Sequence, residues 1–299
     1  MNTYSKILVV IDPELEQHPS LNKAVHLAKQ YQAKLELFIS DYDPLLATSY
    51  LFDAPSLERA TQTLHNRHCK LLERMADSIR QQGIETTCDV RWQQRPADCI
   101  LDKAEESGAD LIVRCSHPND GQDLPFSHTD WDLIREASVP LLLVKHQPWQ
   151  ASPKILVAID PMHTRAESIK LEQKLLGEGT ALAEKLSGEV HALHAFDPSK
   201  LEMHIEAGVI RFPDTPGHIR ELHKAAFAET IKQSSIDPAN QHLLEAVPEK
   251  GIVDFAKKNS YDITVMGAIS RSAIERVLIG HTAEKILEKI SSDLLIIKP

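Results

Sequence analysis

The segment Lys6-Ile-Leu-Val-Val-Ile-Asp-Pro13 returns as Lys154-Ile-Leu-Val-Ala-Ile-Asp-Pro161, near the midpoint of a chain of 299 residues. A repeat at that separation implies two copies of one folding unit, each long enough to bury its own core. The later segments repeat in the same order. Asp110-Leu-Ile-Val-Arg-Cys115 aligns with Asp262-Ile-Thr-Val-Met-Gly267, and Val139-Pro-Leu-Leu-Leu-Val-Lys145 with Ser292-Asp-Leu-Leu-Ile-Ile-Lys298. Domains are therefore expected over 1–147 and 153–299, joined by a short stiff linker, His146-Gln-Pro-Trp-Gln-Ala-Ser-Pro153, with two prolines.

Within the first copy, apolar runs occur at 6–11, 34–40, 111–115 and 140–145, with a weaker alternating run at 85–91. Between them lie helical patterns, clearest in Leu21, Ala24, Val25, Leu27, Ala28 and Tyr31, which share one face of a 3.6-residue period. Nearly continuous apolar strands alternating with helices specify a parallel sheet covered on both faces and joined by right-handed crossovers. The fold class is α/β: two tandem doubly wound units, each with a five-stranded parallel sheet. The second copy predicts strands at 154–160, 189–195, 242–247, 262–267 and 293–298, with helices at 168–187, 217–234, 249–259 and 281–291.

Composition excludes several classes. A formal charge of −10 lacks the concentrated Lys and Arg that phosphate neutralisation demands, so nucleic acid is not an expected partner. No segment approaches the roughly 18 consecutive apolar residues of a spanning helix, so no membrane insertion is expected. The short apolar run at the start is closed by Asp12 and Pro13 and reads as a strand, not a signal peptide. Cys69, Cys88, Cys99 and Cys115 all fall in the first copy without counterparts in the second. A disulfide framework would repeat with its domain, so these are expected to be reduced packing residues of a cytoplasmic protein.

Ligands of doubly wound sheets bind at the carboxyl ends of strands, where strand order reverses. The first strands end in Asp12 and Asp160, residues that also simply close a strand and open a turn. The fourth strand of the second copy ends at Gly267; Ser270 follows, and Gly280-His281-Thr282-Ala283-Glu284 opens the last helix. Glycine permits close backbone approach, and a helix amino terminus offers free N–H groups to an anion. The plain alternative is a turn glycine, a Thr282 N-cap and a dipole-favoured Glu284.

This spacing resembles the G-x2-G-x9-G-(S/T) signature of the universal stress protein family, and the duplicated chain resembles its tandem two-domain members. The resemblance covers both halves, including the K-I-L-V-x-I-D opening and the closing apolar strand. It implies an adenine nucleotide alpha hydrolase-like fold, two domains packed as an internal pseudo-dimer, and ATP or a related nucleotide as ligand. The residues that carry over are Asp160, Gly267, Ser270, Gly280, His281 and Thr282. Two of them depart from the signature. Ser270 replaces a glycine, and His281 occupies the hydroxyl position, with Thr282 adjacent. In the first copy, Cys115 and Ser127 stand opposite Gly267 and Gly280, so only the second copy is expected to hold a nucleotide.

Other chemistry is not supported. Neither a G-x-x-x-x-G-K-(S/T) loop nor a G-x-G-x-x-G turn occurs. Ile279-Gly-His281 resembles part of a nucleotidyl-transferase H-I-G-H motif, but it opens the last helix, far from the first strand where that motif belongs. His65, His68 and Cys69 share one helix, and His191 and His194 should point to opposite faces of a strand. Neither set completes a metal site. The sequence thus predicts a stress-response protein that binds a small ligand without catalysis. The alternatives are slow ATP hydrolysis using Asp160, His281 or Glu284, and a scaffold or carrier holding a partner protein or lipid-like molecule through the apolar loops 42–55 and 203–216. A homodimer of the tandem chain is a further expectation.

Overall fold

The computed structural model describes residues 4–42, 53–116, 126–162, 166–198, 203–205, 208–210, 215–268 and 281–299. Thr3–Pro148 forms one compact unit and Trp149–Pro299 the other. In the first, β1 (Lys6–Val10), α1 (Pro19–Tyr31), β2 (Lys34–Asp41), α2 (Ala54–Arg80), β3 (Thr86–Trp92), α3 (Pro96–Ser107), β4 (Leu111–Cys115), α4 (His128–Glu136) and β5 (Leu141–Val144) follow in order. The strands are parallel in the order β5-β4-β1-β2-β3, and the order reverses between β1 and β4.

The second unit repeats the plan with β6 (Lys154–Ala158), α5 (Ala166–Leu186), β7 (Glu189–Phe196), β10 (Gln241–Glu245), α7 (Pro248–Lys258), β11 (Ile263–Gly267), α8 (His281–Lys289) and β12 (Asp293–Ile297). Helix α6 (Thr215–Ile231) precedes β10, and the parallel order is β12-β11-β6-β7-β10. One departure from expectation lies in 203–216. Where the sequence reads as an apolar loop, β8 (Met203–Ile205) and β9 (Gly208–Ile210) pair antiparallel as a hairpin of three-residue strands, too short for periodicity to show. The apolar loop 42–55 lies mostly outside the described residues.

The central strands explain the fold's stability. Ile7, Leu8 and Val9, like Ile155, Leu156 and Val157, are fully buried, and each such side chain contributes roughly 1.5–3 kcal/mol. Register is locked by a repeated acid. Asp110 accepts backbone hydrogens from Ser5 at 2.7 Å and Lys6 at 3.2 Å, and Asp262 accepts that of Lys154 at 2.8 Å. The carboxylate before the fourth strand thus fixes where the first begins.

Besides that hairpin, the copies differ among the described residues in the helix after the first strand and on one face of the sheet. Helix α5 has 21 residues against 13 in α1. Both end at a left-handed residue, Gln32 with φ 57° and Ser187 with φ 51°, so the extra turns extend α5 at its amino end. The second difference lies on the sheet. Glu36 is buried and accepts from Lys103 at 2.8 Å, Thr87 at 2.5 Å and Lys6 at 3.2 Å, while Lys103 also reaches Asp89 at 2.9 Å. Burial works against the Glu36 carboxylate, but these donors outweigh it and hold it below its ordinary range. At the matching strand positions stand His191 and His242. Their rings stack with centroids 5.4 Å apart, Tyr261 meets His191 edge-on at 5.1 Å, and Phe255 lies 4.9 Å from His242. A charge network in one copy is an aromatic cluster in the other.

Candidate functional site

At the carboxyl end of β6, the exposed Asp160 accepts a hydrogen bond from the backbone of Met162 at 3.3 Å. Asp12 makes the same local turn with Glu14 at 3.0 Å. The repeated acid therefore does close its strand, as a turn residue should. Neighbouring β11 pairs with β6 through Met266 opposite Ala158, so Gly267 ends beside the start of the Asp160 turn. Only Ile290–Ser292 separate α8 from β12, whose amino end they approach. A crossover helix runs against its strands, so the first residues of α8, His281 and Thr282, stand at the carboxyl end. Their side chains, together with Ser270 and Gly280, lie outside the described residues.

Gly267 has a structural duty of its own. A Cβ there would meet Leu171 Cδ2 at 2.7 Å and Leu175 Cδ1 at 3.3 Å. Both leucines belong to α5, and no left-handed φ is involved. The glycine therefore admits close packing of the helix, in addition to whatever its backbone meets.

The extended helix also brings in a carboxyl group that the sequence-derived set lacks. Glu172 is 5% exposed, and its Oε2 has no hydrogen-bond partner. Burial pushes it up to about 7, against the backbone N–H of Asp160, which lowers it, while the Asp160 carboxylate adds to the rise. A signal existed in the sequence, because Glu172 interrupts a stripe formed by Leu171, Leu175 and Leu176.

A chain of rings borders the same strand ends. His194 Nδ1 lies 3.1 Å from the carbonyl of Ile159, and His194 Nε2 lies 2.7 Å from His223 Nδ1. A carbonyl only accepts, so His194 carries its proton on Nδ1, and in the neutral pair His223 donates from Nδ1 to His194 Nε2. That leaves the lone pair of His223 on Nε2. The His223 ring stacks on Phe196 with centroids 4.2 Å apart, and His194 stacks on Phe227 at 6.2 Å. Burial lowers both imidazoles below their ordinary value, and Asp160 pulls both upward. His191 and His194 do occupy opposite faces, each finding a histidine from another element. Among the described residues, no group of three or more His, Cys, Asp or Glu is placed to hold a metal ion.

The first unit treats the same corner differently. Ser127 caps α4, accepting from the Asp130 backbone at 3.1 Å, while Asp130 accepts from the Ser127 backbone at 3.0 Å. Arg114 on β4 donates to the buried Asp130 carboxylate at 2.7 Å. The helix amino terminus thus already holds an anion, supplied by the chain itself. The aligned residues of the second unit are Ala283 for Asp130 and Met266 for Arg114. Cys115, opposite Gly267, is buried.

A model of the universal stress protein family matches residues 3–145 and again 152–298. The chain is 29% identical to universal stress protein E of Salmonella typhi, covering 100% of this chain and 96% of that one. Against the universal stress protein E homolog of Haemophilus influenzae it is 27% identical, covering 99% and 98%. Among solved structures, it superposes on a putative universal stress protein from Pseudomonas aeruginosa UCBPP-PA14 with a TM-score of 0.78 at 23% identity, over 99% and 94% of the two chains. The universal stress protein of Archaeoglobus fulgidus DSM 4304 gives 0.66 at 15% identity, over 98% of each. A sheet order written twice and a family match covering both copies lead to one conclusion: the chain belongs to the universal stress protein family, with two of its domains in tandem.

Proposed function

We propose that this protein is a stress-response ligand binder whose second domain takes a nucleotide, its phosphates at the amino terminus of α8 and the rest of the molecule beside Asp160. The observation that carries this reading is the contrast between the copies. In the first, Asp130 and Arg114 fill the helix terminus from within. In the second, Ala283 and Met266 stand at those positions and bring no such carboxylate, and the sequence places a glycine, residue 280, just before the helix. The departures at Ser270 and His281 fit a ligand bound through backbone groups and Thr282. Of the neighbouring rings, His194 and Phe196 are buried and His223 is half-buried, and the chain acts by holding its ligand without turning it over. A reducing, cytoplasmic setting belongs to the same reading, in which the four cysteines stay as thiols outside any disulfide.

Calorimetric titration of the full chain with ATP tests it. Saturable binding that Gly280→Asp abolishes and Asp160→Asn weakens at least tenfold is the expected result. Absence of binding, or binding indifferent to Gly280→Asp, overturns the nucleotide assignment, and steady phosphate release would replace holding with hydrolysis.

A further inference from the structure

The first unit contains a nucleophile–base pair that the ligand reading does not use. On α2, Cys69 Sγ lies 3.4 Å from His65 Nε2, one helical turn away. Both side chains are half-buried, within reach of solvent. The same imidazole lines a cavity of about 360 Å³ bounded by Asp41, Glu58, Thr61, Gln62, Val90 and Trp92. A small molecule in that space touches His65, and the thiol is one contact further. The next histidine along, His68, is engaged elsewhere, with Nδ1 2.8 Å from Asp41 Oδ2.

The other three thiols are held inert. Burial pushes Cys88 up to about 12, with Glu73 adding to the rise, and burial likewise raises Cys99. Cys115 is 8% exposed beneath the end of β4. Cys99 and Cys115 are buried, whereas Cys88 is half-buried like Cys69, so it is the adjacent imidazole that sets Cys69 apart from Cys88: thiolate, not thiol, is the attacking form.

We propose that Cys69, with His65 as its base, is a covalent acceptor site for soft carbon electrophiles of the activated-alkene class. His65 takes the thiol proton, the sulfur bonds to the β-carbon, and the electron pair of the alkene moves to the α-carbon. The imidazolium returns its proton there, so nothing is oxidised and no group leaves. The product is a thioether, and the site would record exposure to reactive carbonyl compounds.

The probe is N-ethylmaleimide at substoichiometric dose on the native full-length chain, read by peptide mass spectrometry. The expected result is Cys69 modified at least tenfold faster than Cys88, Cys99 and Cys115. His65→Gln should slow Cys69 at least fivefold while leaving Cys88 unchanged, which separates loss of the base from a general loosening that would speed the buried thiols. His65→Asn serves as the second variant if the first does not fold. Equal labelling of Cys69 and Cys88 in the wild-type chain overturns the proposal, and so does a Cys69 rate indifferent to both substitutions.

Discussion

Glu172 shows how one residue sets the pH response of its unit. Its carboxyl is raised from 4.5 to about 7 by burial, so the folded state holds a proton that the unfolded state releases above pH 4.5. Stability therefore falls as pH rises between those values and then levels off. Glu172→Gln removes the penalty. Thermal unfolding should find the variant more stable by about 1–3 kcal/mol at pH 8 and equal to wild type at pH 4.5. The lowered histidines, His191, His194, His223 and His242, act in the opposite sense, and their contribution is lost as pH falls through the ordinary value of 6.5. Gly267 gives a second residue-scale prediction. A methyl group would stand 2.7 Å from Leu171, so Gly267→Ala should cost about 1–3 kcal/mol in urea denaturation, with Leu171→Ala as partner relieving the clash.

Among elements, the third helices of the two copies end in matching turns with unequal residues. The left-handed position after α3 is Gly108 with φ 66°, whereas after α7 it is Ser260 with φ 54°. A side chain in that region costs roughly 1–2 kcal/mol. Ser260→Gly should recover about 1 kcal/mol, read as a rise in the melting temperature of the second unit. The sheet faces give the opposite case. Lys103→Met would strand the buried Glu36 without its closest cation, at a cost of about 3 kcal/mol in chemical denaturation. Strands and helices were legible because their apolar periods are local. The expected helix at 168–187 appears as Ala166–Leu186, and the expected strand at 34–40 as Lys34–Asp41. The hairpin of β8 and β9 was not, since three residues per strand leave no period to read.

For the whole molecule, the copies share a frame and differ in what stands at its open end. One unit closes its last helix with Asp130 and Arg114; the other leaves the corresponding terminus without them. On the nucleotide reading, the full chain should bind one ATP, measured as a calorimetric stoichiometry near one. A stoichiometry of two would show that the first domain's capped corner is also a site.

The sequence by itself determined the duplication, the α/β class, the place of Asp12 and Asp160 at strand ends, and the inequality of the copies. Each of these is written in residues close together or in a repeat that aligns without reference to space. Only the tertiary structure decided what surrounds those ends. Glu172 meets Asp160, which stands twelve positions earlier, because α5 extends over the strand end. His194 meets His223 across 29 residues, and His191 meets His242 across 51. No local period encodes such meetings. They arise when hydrophobic burial stacks helices on a sheet of fixed order, and whatever polar groups then face each other must find partners or shift their protons.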